Sequence, residues 1–168
     1  EKVEKKTEEL NGITPVGTAA FVHVWEPHAF EGKDDKNYSL ILVFDKKTNI
    51  AGLKALAARA AKKKWGDRAA QMFKDGKLSM PFRDGEEYEQ YGEPFKAGTT
   101  FINCKSKTAP GVVNQRREPI VDQFDFYAGC KARISVYAHA YDSKGNKGVT
   151  FLLNNVQKAG DGERLSGR

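Results

Sequence analysis

Two cysteines, three histidines and two methionines among 168 residues leave little from which to build a metal or redox centre. Cys104 and Cys130 stand far apart, with no CxxC and no histidine at a zinc-ligand interval, which argues against a zinc finger or ribbon. Both fall on the apolar side of strand-like alternations, so they read as buried, reduced thiols that behave as small hydrophobes. His23, His28 and His139 are scattered and read as structural; no metal and no cofactor is expected. Long hydrophobic runs are missing too. The longest strongly apolar stretch, Tyr38 to Phe44, is far short of the ~20 residues that cross a bilayer, and no secretory leader precedes it. No membrane contact and a cytoplasmic location are therefore expected. HExxH, GxSxG and GxxxxGK[ST] are all absent, which removes the commonest local signatures of hydrolases and nucleotide-binding enzymes.

What is present is charge and aromatic surface. Apolar residues make up 39% and charged residues 30%, the balance of a folded globular chain of one domain. The net charge of +6 favours a polyanionic partner, because counterions released from phosphates drive most non-specific nucleic-acid binding. The sequence starts at Glu1 rather than Met, and the charged run to Glu9 marks residues 1–16 as a flexible N-terminal segment ahead of a single domain over residues 17–165.

Period-two alternation starts at Gly17: Phe21, His23 and Trp25 interleave with Ala20, Val22 and Val24, and Pro27 is expected to end this first strand. Asn37 to Phe44 is apolar at almost every position, as in a strand covered on both faces. Asn49 is placed to cap a helix whose Leu53, Leu56, Ala57, Ala60 and Ala61 recur at helical spacing, with Trp65 closing the core. After Gly66 a shorter helix runs from Asp67 to Lys74, and the stretch from Met80 to Lys96 reads as a long functional or packing loop. A third strand spans Thr99 to Lys107, a fourth Cys130 to Tyr141 and a fifth Val149 to Lys158, the last two joined as a hairpin. The fold class is mainly β with one or two helices: an OB-like five-stranded β-barrel with a helical insertion between strands two and three.

The fourth strand carries the sharpest signal. Cys130, Ala132, Ile134, Val136, Ala138 and Ala140 form a small, apolar face, while Lys131, Arg133, Tyr137 and Tyr141 put cations and rings on the opposite one. The third strand repeats the theme with Phe101, Lys105 and Lys107. Single strands are held by cationic grooves that track phosphates and by rings on which bases stack, so both residue types must share a surface. Lys105, Lys107, Lys131 and Arg133 are assigned to phosphates, and Phe101, Tyr137 and Tyr141 to stacking. The competing reading packs the tyrosines beneath the helix or the long loop. Arg116 and Arg117 are either a phosphate clamp or a solvated turn, and Trp25 is left open between core and surface. Asp84, Glu86 and Glu87, with Asp122 and Asp125, are the carboxylates from which a metal-dependent nuclease site could be assembled; a phage structural or adaptor protein that binds no DNA is the other alternative.

The C-terminal third resembles the Enc34-type phage single-stranded DNA-binding family through FYAGC at Phe126 to Cys130 and GVTFLLNNVQKAGDGERL at Gly148 to Leu165. Weaker likeness extends back through INCKS at Ile102 to Ser106, RDG at Arg83 to Gly85, KKW at Lys63 to Trp65 and YSLILVF at Tyr38 to Phe44. The resemblance implies an OB-like barrel that coats single-stranded DNA without strong sequence preference and without catalysis, in the cytoplasm of an infected bacterial host. Gly148 and Gly162, with Asn154, Asn155 and Asp161, are expected to shape the last hairpin and its exit. Proteins of this functional type often carry an acidic C-terminal tail that recruits phage or host replication proteins. The sequence stops at Arg168 without one, and a tail removed by trimming is the hypothesis this raises.

Overall fold

The computed structural model describes residues 8–29 and 35–165. Eight strands and two α-helices follow in chain order: β1 (Asn11–Ile13), β2 (Gly17–His28), β3 (Asn37–Phe44), α1 (Ala51–Trp65), α2 (Ala69–Lys74), β4 (Arg83–Asp84), β5 (Thr100–Ser106), β6 (Gly111–Val113), β7 (Lys131–Ser143) and β8 (Asn146–Gly160). All eight belong to one sheet. Among the described residues no helix is long and apolar enough to cross a membrane.

The pairings return on themselves. β2 pairs antiparallel with β3, β3 with β5, β5 runs parallel to β8 at Lys105 and Leu152, β8 pairs along β7, and β7 meets β2 again at Gly17 and Thr18. β6 continues beside β8 in parallel, β4 lies on β5, and β1 lies on β7. The β7–β8 hairpin turns through Lys144 and Gly145, both with positive φ (51° and 84°), the geometry of a two-residue turn that matches strand twist. Gly17 starts β2 where it is wedged against its neighbour: a Cβ there would lie 2.7 Å from the Val43 carbonyl oxygen.

The main core collects Leu40, Leu42 and Phe44 of β3, Ile102 and Cys104 of β5, and the even-numbered face of β7, with Phe151, Leu153 and Val156 of β8. α1 adds Leu53, Leu56, Ala57, Ala60, Ala61 and Trp65, the face its spacing predicts. The Asn49 side chain accepts from the Ala51 amide at 3.0 Å, so it caps the helix from one residue further back than the first-turn boundary. A second cluster lies on the opposite face of β2, β3 and β5: Ala20, Ile41, Val43, Phe95 and Phe101, with Phe21, Tyr88 and Leu165 against it. β3 is therefore covered on both sides, which is why its sequence is almost uniformly apolar.

Three expectations change. β2 does not stop at Pro27 but runs to His28, paired with Asn37, after bulges that follow Ala20 and His23. The bulge after Ala20 holds Phe21 at φ 47° and breaks the alternation beyond it; Ala19 and Ala20, on opposite faces, are both fully buried because each face meets a core cluster. The N-terminal segment is also not free up to residue 16. Leu10 is buried, β1 pairs with β7, and Thr14 and Ile134 exchange two bonds, Thr14 amide to Ile134 carbonyl at 2.9 Å and Ile134 amide to Thr14 Oγ1 at 3.0 Å. Residues 1–7 lie outside the described residues.

Candidate nucleic-acid interface

β7 begins as the alternation predicts: Lys131 and Arg133 are exposed, and Cys130, Ala132 and Ile134 are buried. Lys131 Nζ donates to Thr18 Oγ1 at 2.7 Å, which holds it against β2, and Arg133 stands opposite Gln157 of β8. The pattern then fails at Tyr137. A register shift follows Ser135, and Val136, Tyr137 and Ala138 are buried in succession. Tyr137 faces Asn11 of β1 and joins Leu10 in the main core, while α1 and the turn at Glu8–Leu10 pack on this stretch of β7. At 6% exposure Tyr137 offers no face to a base, so its expected stacking role is corrected. Tyr141, four residues on, is half-buried and keeps part of its ring at the surface.

Phe101 is corrected in the same way. It is fully buried because the segment from Arg83 to Phe95 folds down over it: Tyr88 lies 4.7 Å and Phe95 5.4 Å from its ring, and the Arg83 guanidinium sits 5.1 Å above it. The stretch from Met80 to Lys96 is thus a packing segment, Met80 and Phe82 against the main core and Tyr88 and Phe95 over the second cluster. Three of the candidate carboxylates have local partners: Asp84 accepts from the Glu86 amide at 2.9 Å, Glu87 pairs with Arg83 at 2.9 Å, and Asp122, further along the chain, accepts from the Phe124 amide at 2.9 Å. Among the described residues no three potential metal ligands come together.

Lys105 and Lys107 leave the buried part of β5 and are exposed. Lys105 is level with Ser39 on one side and Leu152 on the other. Lys107 forms an ion pair with Asp35, and the ammonium holds that carboxyl below the usual carboxylate range. Across the buried Ser39 from Lys105, half-buried His23 stacks on His28, ring centroids 4.1 Å apart and nearly parallel. Burial, then the neighbouring imidazole, lowers the His23 pKa. Arg116 and Arg117 sit on an exposed turn built by Asn114, whose Oδ1 accepts from the amides of Arg116 at 2.8 Å and Glu118 at 3.1 Å. Gln157 ties that turn to β8 through the carbonyls of Asn114 and Gln115.

An open groove of about 810 Å³ lies across β1, β7 and β8. Its walls are Asn11, Gly12 and Ile13 of β1, Ser106, Thr108 and Ala109 after β5, Ser135 of β7, and Leu153, Asn154 and Asn155 of β8. Ser106 lies between Lys105 and Lys107 in the chain and Ser135 lies two residues after Arg133, while the lining of the groove itself is neutral. Asn154 donates to Asn11 Oδ1 at 3.4 Å and Asn155 accepts from the Gly111 amide at 3.1 Å. Ile13, 71% exposed, gives the wall an apolar spot. Sequence reasoning missed this groove because β1, three residues long, is too short to show a period; the adjacent Asn154 and Asn155, breaking the alternation of β8, were its one visible trace.

The two sequence blocks with the strongest resemblance pack on each other. Gly129 has φ 111°, and a Cβ there would lie 1.9 Å from the Glu163 carbonyl oxygen; one on Gly162 would lie 2.0 Å from that of Gly129. Tyr127 Oη donates to Asp161 at 2.9 Å, Arg164 lies 3.9 Å over the Tyr127 ring, and the Leu165 amide donates to the Ala128 carbonyl. Gly162 is therefore a close-approach position rather than a turn-former.

This architecture is shared by solved phage proteins. The single-stranded DNA-binding protein of bacteriophage Enc34 in complex with ssDNA is 21% identical, with 99% of this chain and 96% of that one covered at a TM-score of 0.66. Another Enc34 structure gives 20%, 100%, 92% and 0.67, and gp2.5, a single-stranded DNA-binding protein encoded by bacteriophage T7, gives 14%, 94%, 96% and 0.66. The fold is that of phage single-stranded DNA-binding proteins. The chain belongs to the family described as Enterobacter phage Enc34, ssDNA-binding protein, whose model matches residues 13–168. No curated protein matches it.

Proposed function

We propose that this chain binds single-stranded DNA without strong sequence preference during phage DNA replication or recombination, as a non-catalytic coat, in the cytoplasm of an infected bacterium. Membership of the family over residues 13–168 carries this reading. We read the closed path β2-β3-β5-β8-β7 as a five-stranded OB-like barrel, with α1 and α2 inserted between its second and third strands and the domain running to residue 165. Barrels of that type bind oligonucleotides on the face of strands two and three and in the adjoining loops. What supports a contact there is exposed Lys105, with half-buried His23 across the buried Ser39.

In this account phosphates follow Lys105, the groove and then Lys131 and Arg133, with Arg116 and Arg117 at the far end. Asparagine and hydroxyl side chains along the groove donate and accept bonds without choosing a base. Lys107 joins once a phosphate displaces Asp35. Tyr141 and the His23–His28 pair supply the ring faces, since Phe101 and Tyr137 are enclosed. Fluorescence anisotropy with labelled oligo(dT) and a matching duplex tests the reading. Tight, salt-sensitive binding of the single strand and poor binding of the duplex are expected; failure to bind either by a folded protein at low salt would remove it.

A further inference from the structure

A second recess lies away from the DNA path, in the elbow between the two helices. α1 ends at Gly66, whose φ of 65° turns the chain before α2 begins, and the bend leaves an opening of about 790 Å³. That volume falls among clefts that hold ligands, about 300–1,000 Å³. Ala61 and Ala69 give it depth, Leu78, Met80 and Phe82 form its floor, and Phe73 stands at its edge 58% exposed. The floor is firm, since Phe82 meets the core ring of Phe151 edge-on at 5.6 Å. Lys54, Lys62 and Lys74 stand around the opening against a single acid, Asp67, and among the described residues none of the three lysines is in an ion pair.

An apolar floor inside a cationic rim selects its occupant. A second copy of this chain would bring the same three lysines against themselves. A nucleic acid would meet the charges but leave the aliphatic floor unused. We propose that this elbow is a docking site for an acidic protein segment that presents two or three large apolar side chains at helical spacing, its carboxylates meeting the lysines and its apolar side chains entering the cleft. Phe73 and Met80 are suited to such a contact, one as an exposed aromatic anchor and the other as an adaptable filler.

The test uses the whole chain and a labelled synthetic peptide of Glu and Asp residues with Phe and Leu placed at i, i+3 and i+7, beside an equally acidic control with Ser at those positions. Anisotropy is measured for both peptides and, in parallel, for oligo(dT). The designed peptide should bind at least tenfold more tightly than the control. Lys62→Glu and Phe73→Ser, both at exposed positions, should each weaken it at least tenfold and leave oligo(dT) affinity unchanged. Equal binding of the control, no effect of the two substitutions, or displacement of the peptide by oligo(dT) would overturn the proposal. So would a dimer in sedimentation that Phe73→Ser dissolves, since the elbow would then be a self-association surface.

Discussion

The rings of Tyr137 and Phe101 are both buried, although each residue alternates with core positions along its strand. Tyr137 is flanked by β1 in the sheet and joins the core cluster that α1 contributes to, and Phe101 lies under the loop that carries Tyr88 and Phe95. Truncating a buried ring removes transfer energy and leaves a cavity, so Phe101→Ala is expected to cost about 3–5 kcal/mol and Tyr137→Ala about 2–4 kcal/mol in urea unfolding. A loss below about 1 kcal/mol in either variant would show an exposed ring. Tyr141→Ala should leave the unfolding midpoint nearly unchanged and weaken oligo(dT) binding by about 1–3 kcal/mol if it stacks on a base. The exposed cations were legible from the same pattern, since Lys105, Lys107, Lys131 and Arg133 all reach solvent. Charged side chains declare their side of a strand, because burying them unpaired is too costly, whereas a tyrosine suits either side.

Among elements, the long ones were readable and the short ones were not. The five main strands and the apolar face of α1 follow from periodicity over seven residues or more. β1 and β6 are set by the neighbours they pair with, β7 and β8, and the groove that β1 helps to wall was invisible for that reason. The bulged middle of β2 was equally hidden, and it places His23 against His28. Because burial and the neighbouring ring lower the His23 pKa, the unfolded chain binds the proton more readily than the folded one. Stability is then complete above the ordinary imidazole range and declines as pH falls through it. His23→Gln should flatten that decline in urea midpoints measured between about pH 7 and pH 5; a wild-type midpoint that rises on acidification over the same interval, with the rise lost in His23→Gln, would reverse the sign. At the C-terminal end, Gly129→Ala should destabilise the clamp between the FYAGC and GDGERL segments by more than about 1 kcal/mol, because the added methyl meets backbone at a left-handed position.

At the scale of the whole molecule, the sheet path closes through β7 and β8, the chain carries 28 basic against 22 acidic residues, and in the proposed function the phosphates run from Lys105 along a neutral groove to Lys131 and Arg133. A chain with the same composition and scattered charge would bind DNA weakly everywhere. The account instead confines phosphate contacts to particular side chains, and each contact leaves a thermodynamic mark. The slope of log affinity for oligo(dT) against log salt is about −0.7 per neutralised phosphate on a single strand. The direct measurement is that slope for the wild type, for Lys105→Gln with Arg133→Gln, and for Lys54→Gln with Lys62→Gln on the opposite elbow. Removing the two groove cations should lower its magnitude by about 1.4, and removing the two helix lysines should leave it unchanged. Equal slopes in all three proteins, or a loss confined to the helix variant, would contradict the placement of DNA in the groove.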